Sequence, residues 1–258
     1  VKNMKRIIDL ENRKGVYLEG VYFSEIKKIA EEIKLCNLEI RCERKRRENT
    51  TTKLAKLYER RKNLKQEKED LLDNELMKIS DNIASSGFKI ELDRIDIPDG
   101  KSLYVANDSP ECYFALKQIQ RNISRLFGVK QSNRFEIVNQ VKTLLNDKFP
   151  KYILRTDINS FYESIPHEYL LNKINGNNLL SPFSRKIVRQ ILEAYIQLSG
   201  NDNGIPRGVG VSAYLAELYM RDIDNKIRSL TEIVYYARYV DDIIIDRKST
   251  RLNSSHYS

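Results

Sequence analysis

Residues 234–245 read VYYARYVDDIII, and this stretch decides how the rest of the chain is interpreted. Strand-forming residues flank the adjacent acids Asp241 and Asp242, which predicts a hairpin with both carboxylates at its turn. Neighbouring like charges repel, and an apolar flank screens them weakly, so a divalent cation would stabilise the pair. The alternative is a solvated turn that contains two acids by chance, because Asp is a common turn residue.

Composition restricts the chain to a few broad classes. Its 258 residues are 41% hydrophobic, which suffices for one large domain or two small ones. No apolar run approaches the roughly 18 residues of a membrane span, and no secretory signal opens the chain. Cys36, Cys42 and Cys112 lack the spacing of a disulfide framework or a zinc site. We therefore expect a cytoplasmic protein that does not associate with membranes.

The charge of the chain points to an anionic partner. The formal net charge is +9, and residues 1–80 hold 21 Lys and Arg against 15 Asp and Glu. Nucleic acid is favoured over a membrane surface because no basic helix carries bulky apolar anchors. The cluster Arg44-Lys45-Arg46-Arg47 fits either a face that follows phosphates or a solvated helical surface.

The N-terminal third is predicted to be helical. Apolar residues recur at helical spacing from Ile26 to Ile33, and Ser24 is suited to cap that helix. Residues 48–52 are poor helix formers and predict a break. An apolar stripe from Leu54 to Leu71 then marks a second, highly charged helix. A helical hairpin and an extension packed on the body both fit this pattern.

Short alternating runs begin at Phe88 and predict a small sheet, with strands over 88–92 and 103–105 and a turn at Ile97-Pro98-Asp99-Gly100. A helical period returns over 116–126, where Lys117, Arg121 and Arg125 share one stripe. That stripe suits contact with phosphates, although an ordinary amphipathic helix has the same pattern.

A glycine-rich loop runs from Gly204 to Gly210, and Ser212 is expected to cap the helix behind it, predicted over 213–230. Three glycines would expose backbone amides at the helix N-terminus. A triphosphate or a base-paired substrate is the ligand expected there.

Three carboxylates are expected to meet at one place. Asp157 follows a predicted strand over 152–155, and pairing of this strand with the hairpin would bring Asp157 to Asp241 and Asp242. Nucleotidyl transfer requires little more than carboxylates that hold two Mg²⁺ ions, which assist the attacking 3′-hydroxyl and the leaving pyrophosphate. The spacing therefore favours metal-dependent polymerase chemistry.

Three motifs, in this order, resemble those of the reverse transcriptases. Asp157 to Tyr162 (DINSFY) resembles their first palm motif, Gly204 to Ala213 the second, and Tyr239 to Asp242 the third. Leu116 to Arg121 is similar to a fingers segment of retron-type and group II intron enzymes. The resemblance implies an α+β fold. It would comprise right-hand polymerase fingers and a partial palm with a ferredoxin-like sheet, preceded by a helical N-terminal extension.

The resemblance divides the chain into four parts. These are a basic helical region at 1–85, fingers at 86–150, an incomplete palm at 151–245, and a tail at 246–258. The tail resembles one reading frame of a sequencing adaptor and is expected to be foreign. The chain would then be a C-terminally truncated fragment without primer grip or thumb. We expect weak nucleic-acid binding and little or no processive synthesis from it.

The resemblance also implies roles for the residues that match. Asp157, Asp241 and Asp242 would be catalytic and hold two Mg²⁺ ions, with Mn²⁺ as an alternative, and the Ile158 carbonyl would be a further metal ligand. A bulky ring at Tyr162 would exclude a 2′-hydroxyl and so favour deoxynucleotides. Arg207 stands where many relatives carry Gln. The other residues expected to bind the nucleotide are Pro206, Arg207 and Gly208, and those expected to bind nucleic acid are Tyr239, Lys117, Arg121 and Arg134.

The implied activity is RNA-directed DNA polymerisation, with an RNA template, a DNA or RNA primer and dNTPs. The residues around the first acid, Leu154 to Ile165, look most like those of bacterial abortive-infection and other phage-defence reverse transcriptases. A role in antiviral defence is therefore expected. The alternatives are a retron or group II intron reverse transcriptase, a template-independent or protein-primed polymerase, and a non-catalytic defence scaffold.

Overall fold

A computed structural model describes residues 23–45, 51–98, 100, 102–146, 150–176 and 179–248. Arg46 and Arg47 of the basic cluster, the predicted turn residue Asp99 and residues 249–258 of the expected foreign tail lie outside these ranges. No helix within the described ranges combines the length and the apolar character that a membrane span requires.

The chain forms two compact units. The first contains the described residues up to Phe88 together with Ser109–Ala115, and the second contains Lys89–Asp108 and the described residues from Leu116 onward. The second unit therefore holds most of the predicted fingers and all of the predicted palm. The boundary between fingers and palm stays a prediction.

The first unit is built on a helical hairpin. Helix α1 (Ser24–Lys45) lies antiparallel to α2 (Thr51–Ala84), with Glu43 near Lys53 and Asn37 near Arg61. Residues 48–50 of the predicted break lie outside the described ranges, and Thr51 and Thr52 already belong to α2. Helix α1 buries isoleucines along one face and α2 buries both leucines and isoleucines, because these residues recur at the spacing of helical turns. The Cys36 thiol donates a hydrogen bond to the Leu57 carbonyl at 3.3 Å, which fixes the register of the two helices.

The second unit begins with a small hairpin of β1 (Leu92–Asp96) and β2 (Ser102–Ala106). The sequence analysis placed the first strand four residues too early, at 88–92. The Asp96 carboxylate accepts hydrogen bonds from Arg94 Nε at 2.8 Å and Ser102 Oγ at 2.9 Å, so the strands are tied at their turn. Pairing that starts from this turn places β1 at Leu92–Asp96.

Two helices follow the hairpin, α3 (Pro110–Phe127) and α4 (Arg134–Asn146). The first turns of α3 belong to the first unit and the rest to the second. The helical period predicted over 116–126 is confirmed, with Ile119 and Ile123 buried. The sequence analysis did not predict α4, whose side chains are all at least partly exposed and so leave a weak periodic signal.

The second unit contains a three-stranded antiparallel sheet with the order β3-β5-β4. Its strands are β3 (Tyr152–Asp157), β4 (Ile233–Tyr239) and β5 (Asp242–Arg247). The expected pairing of the first strand with the hairpin is confirmed. Strand β5 continues past Ile245, where the sequence analysis ended it. Asp246 is buried there and accepts a hydrogen bond from the Tyr152 amide at 3.3 Å.

Helices complete the second unit: α5 (Phe161–Ser164), α6 (His167–Gly176), α7 (Pro182–Ser199) and α8 (Gly210–Arg228). Their core includes Ile165, Leu170, Ile191 and Leu215, which are fully buried. Ser212 does not cap α8 as expected. Helix α8 begins at Gly210 after the extended residue Val209, and Ser212 is buried in its first turn.

Candidate active site

The three predicted catalytic carboxylates lie at one end of the sheet. Asp157 ends β3 and is the register partner of Asp242, which begins β5. Asp241 lies in the turn before β5, and its carbonyl accepts a hydrogen bond from the Ile158 amide at 3.2 Å. Together with Arg155 and Thr156, the three acids line an open pocket of about 500 Å³.

The charge of this group is partly balanced by a neighbour on β3. Like charges directly opposite each other across a sheet are unfavourable, and Asp157 and Asp242 are such a pair. Arg155 Nη2 lies 3.2 Å from Asp242 Oδ1, and the Arg155 side chain is 73% exposed. An ion pair in water is weak, so Arg155 balances Asp242 without holding it firmly.

The ligand atoms are of the kind that a hard cation binds, but the side chains are not grouped as closely as in a metal site. Carboxylate and carbonyl oxygens are the ligands that Mg²⁺ prefers, and Asp157, Asp241, Asp242 and the Ile158 backbone supply both kinds. Within the described residues, however, no three His, Cys, Asp or Glu side chains are grouped closely enough to hold a metal ion.

The turn that carries Asp241 has an unusual backbone. Val240 adopts φ 58°, a left-handed conformation that is strained for a β-branched residue. Arg238 Nη1 donates a hydrogen bond to the Val240 carbonyl at 2.8 Å. The carbonyls of Val240 and Asp241 therefore both accept hydrogen bonds, from Arg238 and from the Ile158 amide. These two contacts stabilise the strained conformation of the turn.

Arg238 itself is buried between two acids of α8. Its guanidinium binds the Asp224 carboxylate at 2.9 and 2.8 Å and the Glu217 carboxylate at 3.1 and 2.6 Å, and only 3% of the residue is exposed. Burial alone would lower the pKa of Arg238. Its hydrogen bonds to Asp224 and Glu217 outweigh that cost and raise the pKa above its ordinary value.

Tyr236 joins this cluster, since its hydroxyl donates to Asp224 at 2.6 Å; burial, followed by this bond, raises its pKa. The sequence analysis missed the cluster. A signal was available, because Glu217 and Asp224 are seven residues apart and therefore share one face of the helix with apolar residues such as Met220.

Tyr162, the residue predicted to exclude a 2′-hydroxyl, contacts an ion pair. The Arg207 guanidinium lies 5.3 Å from the centroid of the Tyr162 ring. It also binds the Glu163 carboxylate through contacts of 3.1 to 3.3 Å. Burial raises the pKa of Tyr162, and Arg207 opposes that rise. Arg207 was expected to bind the nucleotide. In the structure its guanidinium is paired with Glu163 and stacked on Tyr162.

The glycine-rich loop packs closely against its neighbours. Gly208 has φ 101°, and a Cβ atom at this position would lie 2.7 Å from the Tyr104 carbonyl oxygen. The Tyr104 amide in turn donates to the Arg207 carbonyl at 2.7 Å. Gly208 is therefore required by the close approach of strand β2.

Two amides at the start of the loop are hydrogen-bonded within the protein. The amides of Gly204 and Ile205 donate to the carbonyls of Ile165 and Tyr162, each at 2.8 Å. These donors are satisfied within the protein and are not free to bind a triphosphate. Pro206 is buried in the same loop.

Two of the four residues predicted to bind nucleic acid lie in the same groove. Tyr239 and Arg134 line a groove of about 640 Å³ with Phe135 and Val138. Tyr239 also lines a smaller pocket of about 150 Å³ that includes Tyr162 and Glu217. Lys117 and Arg121 lie on α3 and are only half exposed, whereas Arg134 is exposed.

Comparison with known proteins agrees with the motifs. The family described as "Reverse transcriptase (RNA-dependent DNA polymerase)" matches residues 112–255, which is more than half of the chain. The match includes all three motifs and reaches into the tail that was expected to be foreign. Among curated proteins, none matches the chain.

Replacing Arg238 by Ala should destabilise the second unit by about 3–5 kcal/mol, because two buried carboxylates lose their partner. The matched control is Arg155→Ala, which removes an exposed arginine from the same sheet and should cost at most about 1 kcal/mol. Urea unfolding followed by circular dichroism measures both free energies. Equal losses in the two variants would contradict the assignment of Arg238.

Replacing Gly208 by Ala should cost more stability than replacing Gly200 by Ala. Both glycines have positive φ, but a Cβ at Gly200 has no atom within 4 Å, whereas one at Gly208 meets the Tyr104 carbonyl. Gly200→Ala should cost about 1–2 kcal/mol from backbone strain alone. Thermal unfolding of the two variants compares them, and an equal shift in Tm would mean that the close approach of β2 is unimportant.

Proposed function

The chain belongs to the reverse transcriptase family, and from this premise we propose that it adds deoxynucleotides to a primer on an RNA template by two-metal nucleotidyl transfer. The observation that carries the proposal is the meeting of Asp157, Asp241 and Asp242 around one pocket. Asp157 and Asp242 lie on paired strands and Asp241 in the turn beside them, and this gathering of carboxylates supports the proposal.

Asp157, Asp241 and Asp242 would hold two Mg²⁺ ions, or Mn²⁺ in their place, with the Ile158 carbonyl as a further ligand. When bound, the ions would activate the 3′-hydroxyl of the primer and stabilise the leaving pyrophosphate. The exposed Arg155 pairs with Asp242 and would have to release it to an ion. Because an exposed ion pair contributes little energy, replacing Arg155 by a metal ion at Asp242 would cost little free energy.

Selection of the sugar is assigned to Tyr162. A ring at this position restricts the space available to a 2′-hydroxyl, which favours dNTPs over rNTPs. The stacked Arg207 and the adjacent Phe161, whose ring lies 5.5 Å from that of Tyr162, restrain the ring. Pro206, Arg207 and Gly208 would line the site of the incoming base pair, with Arg207 acting through Tyr162.

Template and primer are assigned to the groove beside Tyr239. Phe135 is 75% exposed in this groove and Arg134 is exposed beside it, a combination that suits stacking on a base and contact with a phosphate. Lys117 and Arg121 on α3 are proposed as further contacts to phosphates. The net charge of +9 agrees with a nucleic-acid partner.

The biological role that we propose is antiviral defence in the bacterial cytoplasm. The support is the likeness of residues 154–165 to phage-defence reverse transcriptases. The outcomes of the assay below separate a template-independent polymerase and a non-catalytic scaffold from RNA-directed synthesis. Linked accessory domains or a neighbouring structured RNA would instead indicate a retron or group II intron enzyme.

With the protein in excess, Mg²⁺ and one dNTP, we expect addition of the nucleotide that is complementary to an RNA template. Asp241→Asn should slow the addition about 100-fold or more, because several kcal/mol of charge stabilisation are lost. The control Asp202→Asn changes an exposed loop acid and should leave the rate unchanged. Single-turnover gel assays measure the rate.

Addition that ignores the template would favour a template-independent polymerase. Addition that survives Asp241→Asn would refute the catalytic site. If the unsubstituted protein and the Asp241→Asn variant are both inactive, and protection against phage survives the substitution, the protein is a non-catalytic defence scaffold.

Replacing Tyr162 by Val should reduce discrimination between dNTP and rNTP by about 10- to 100-fold, because the space for a 2′-hydroxyl is opened. Tyr162→Phe keeps the ring and should keep the discrimination. The ratio of kcat/KM for the two substrates measures the effect. An unchanged ratio in Tyr162→Val would remove Tyr162 from this role.

A further inference from the structure

We propose that one end of the α1–α2 hairpin is a docking surface for the phosphate backbone of nucleic acid. This basic end consists of residues 36–45 and 51–65. It lies in the first unit, whereas the carboxylates lie in the second. The inference therefore does not rest on the polymerase chemistry.

Charge is strongly segregated along the hairpin. The basic end carries nine Lys and Arg against three Asp and Glu, a net charge of +6. The opposite end, residues 24–35 and 66–84, carries five Lys and Arg against nine Asp and Glu, a net charge of −4. A solvated helical surface without a charged partner has no need of such separation, since mixed charges give solubility equally well.

The register of the two helices places these residues at the same end. Asn37 Oδ1 accepts a hydrogen bond from Arg61 at 3.3 Å, and Lys53 lies 3.4 Å from the Glu43 carboxylate. The cations of α1 and α2 therefore add to one surface. Helix α2 contributes fifteen residues, 51–65, which span about 22 Å at 1.5 Å per residue.

Of the three acids of the basic end, two form ion pairs and the third, Glu59, is exposed. Glu43 is buried beneath Lys53, and Glu39 is paired with Arg60 at 3.9 Å. Lys56, Lys62 and Lys65 are exposed, and among the described residues none of the three has an ion-pair partner. These lysines are available to an external anion.

Two arginines are held in place around an aromatic ring. The guanidinium groups of Arg44 and Arg61 lie 5.6 and 5.1 Å from the centroid of the Tyr58 ring. A guanidinium that is already positioned loses less conformational entropy when it binds a phosphate, and its planar donors match phosphate oxygens. The surface is thus partly organised before a ligand arrives.

Nucleic acid suits this surface better than a membrane. A helix that lies on a membrane presents several bulky apolar residues beside its cations. Among the described residues of the basic end, Leu38 is the one exposed large apolar side chain. Duplex DNA carries one charge per about 1.7 Å of its axis, so several phosphates lie within the length of the α2 segment.

The test is binding of the full chain to a fluorescein-labelled RNA duplex, without dNTP or metal, followed by anisotropy at several salt concentrations. The triple variant Lys56→Gln, Lys62→Gln and Lys65→Gln should weaken binding at least about tenfold and lower the slope of log K against log salt by roughly 2–3. The matched control replaces three exposed lysines of the opposite end, Lys27, Lys28 and Lys34, by Gln. It removes the same charge and should leave Kd and slope nearly unchanged.

A second variant with Arg at positions 56, 62 and 65 keeps the charge and should keep the affinity. Circular dichroism verifies that all variants retain their helices. Equal weakening by both Gln triples would mean that net charge alone matters and would overturn the proposal. It would also be overturned if the Lys56, Lys62 and Lys65 substitutions impaired binding to phosphatidylserine vesicles and left RNA binding intact. Loss of polymerase activity in other variants has no bearing on either result.

Discussion

The buried guanidinium of Arg238 is the interaction on which the candidate site depends. It joins β4 to two carboxylates of α8 and also holds the Val240 carbonyl, so one side chain links the helix, the strand and the strained turn. A charge removed from water is stable only when its partners surround it, and here Glu217 and Asp224 both do. The turn that carries Asp241 is therefore supported by the ion cluster that Arg238 forms with α8.

The carboxylates themselves illustrate the opposite arrangement. Asp157 and Asp242 face each other across the sheet in an open pocket, with the exposed Arg155 as partial compensation. Water and a loosely held arginine allow three acids to stay close, and the same openness allows a cation to enter. A firmly paired cluster such as that of Arg238 would be unsuitable for exchangeable ions. The Arg238 cluster therefore stabilises the fold, and the open carboxylates are the group proposed to bind metal ions.

Much of this site was accessible from residue order, and some was not. The acids, Tyr162 and the glycine loop were singled out because each has a local signature, and the family match covers them. The packing of the loop was not predicted. Glycine was taken to expose amides, but Gly208 is required because β2 passes within contact distance, and the amide of Gly204 binds Ile165. Which atoms a loop faces depends on elements about a hundred residues away in the chain.

The sequence by itself determined the family, the three carboxylates and the helical character of the N-terminal third, since motifs, periodicity and composition are local properties. Tertiary structure decided that Arg207 pairs with Glu163, that Arg238 is buried between Glu217 and Asp224, and that cations of α1 and α2 form one surface. These outcomes depend on distances between side chains from separate elements. The electrostatic energy of a charge depends on its neighbours and its burial, and neither is fixed until the chain has packed.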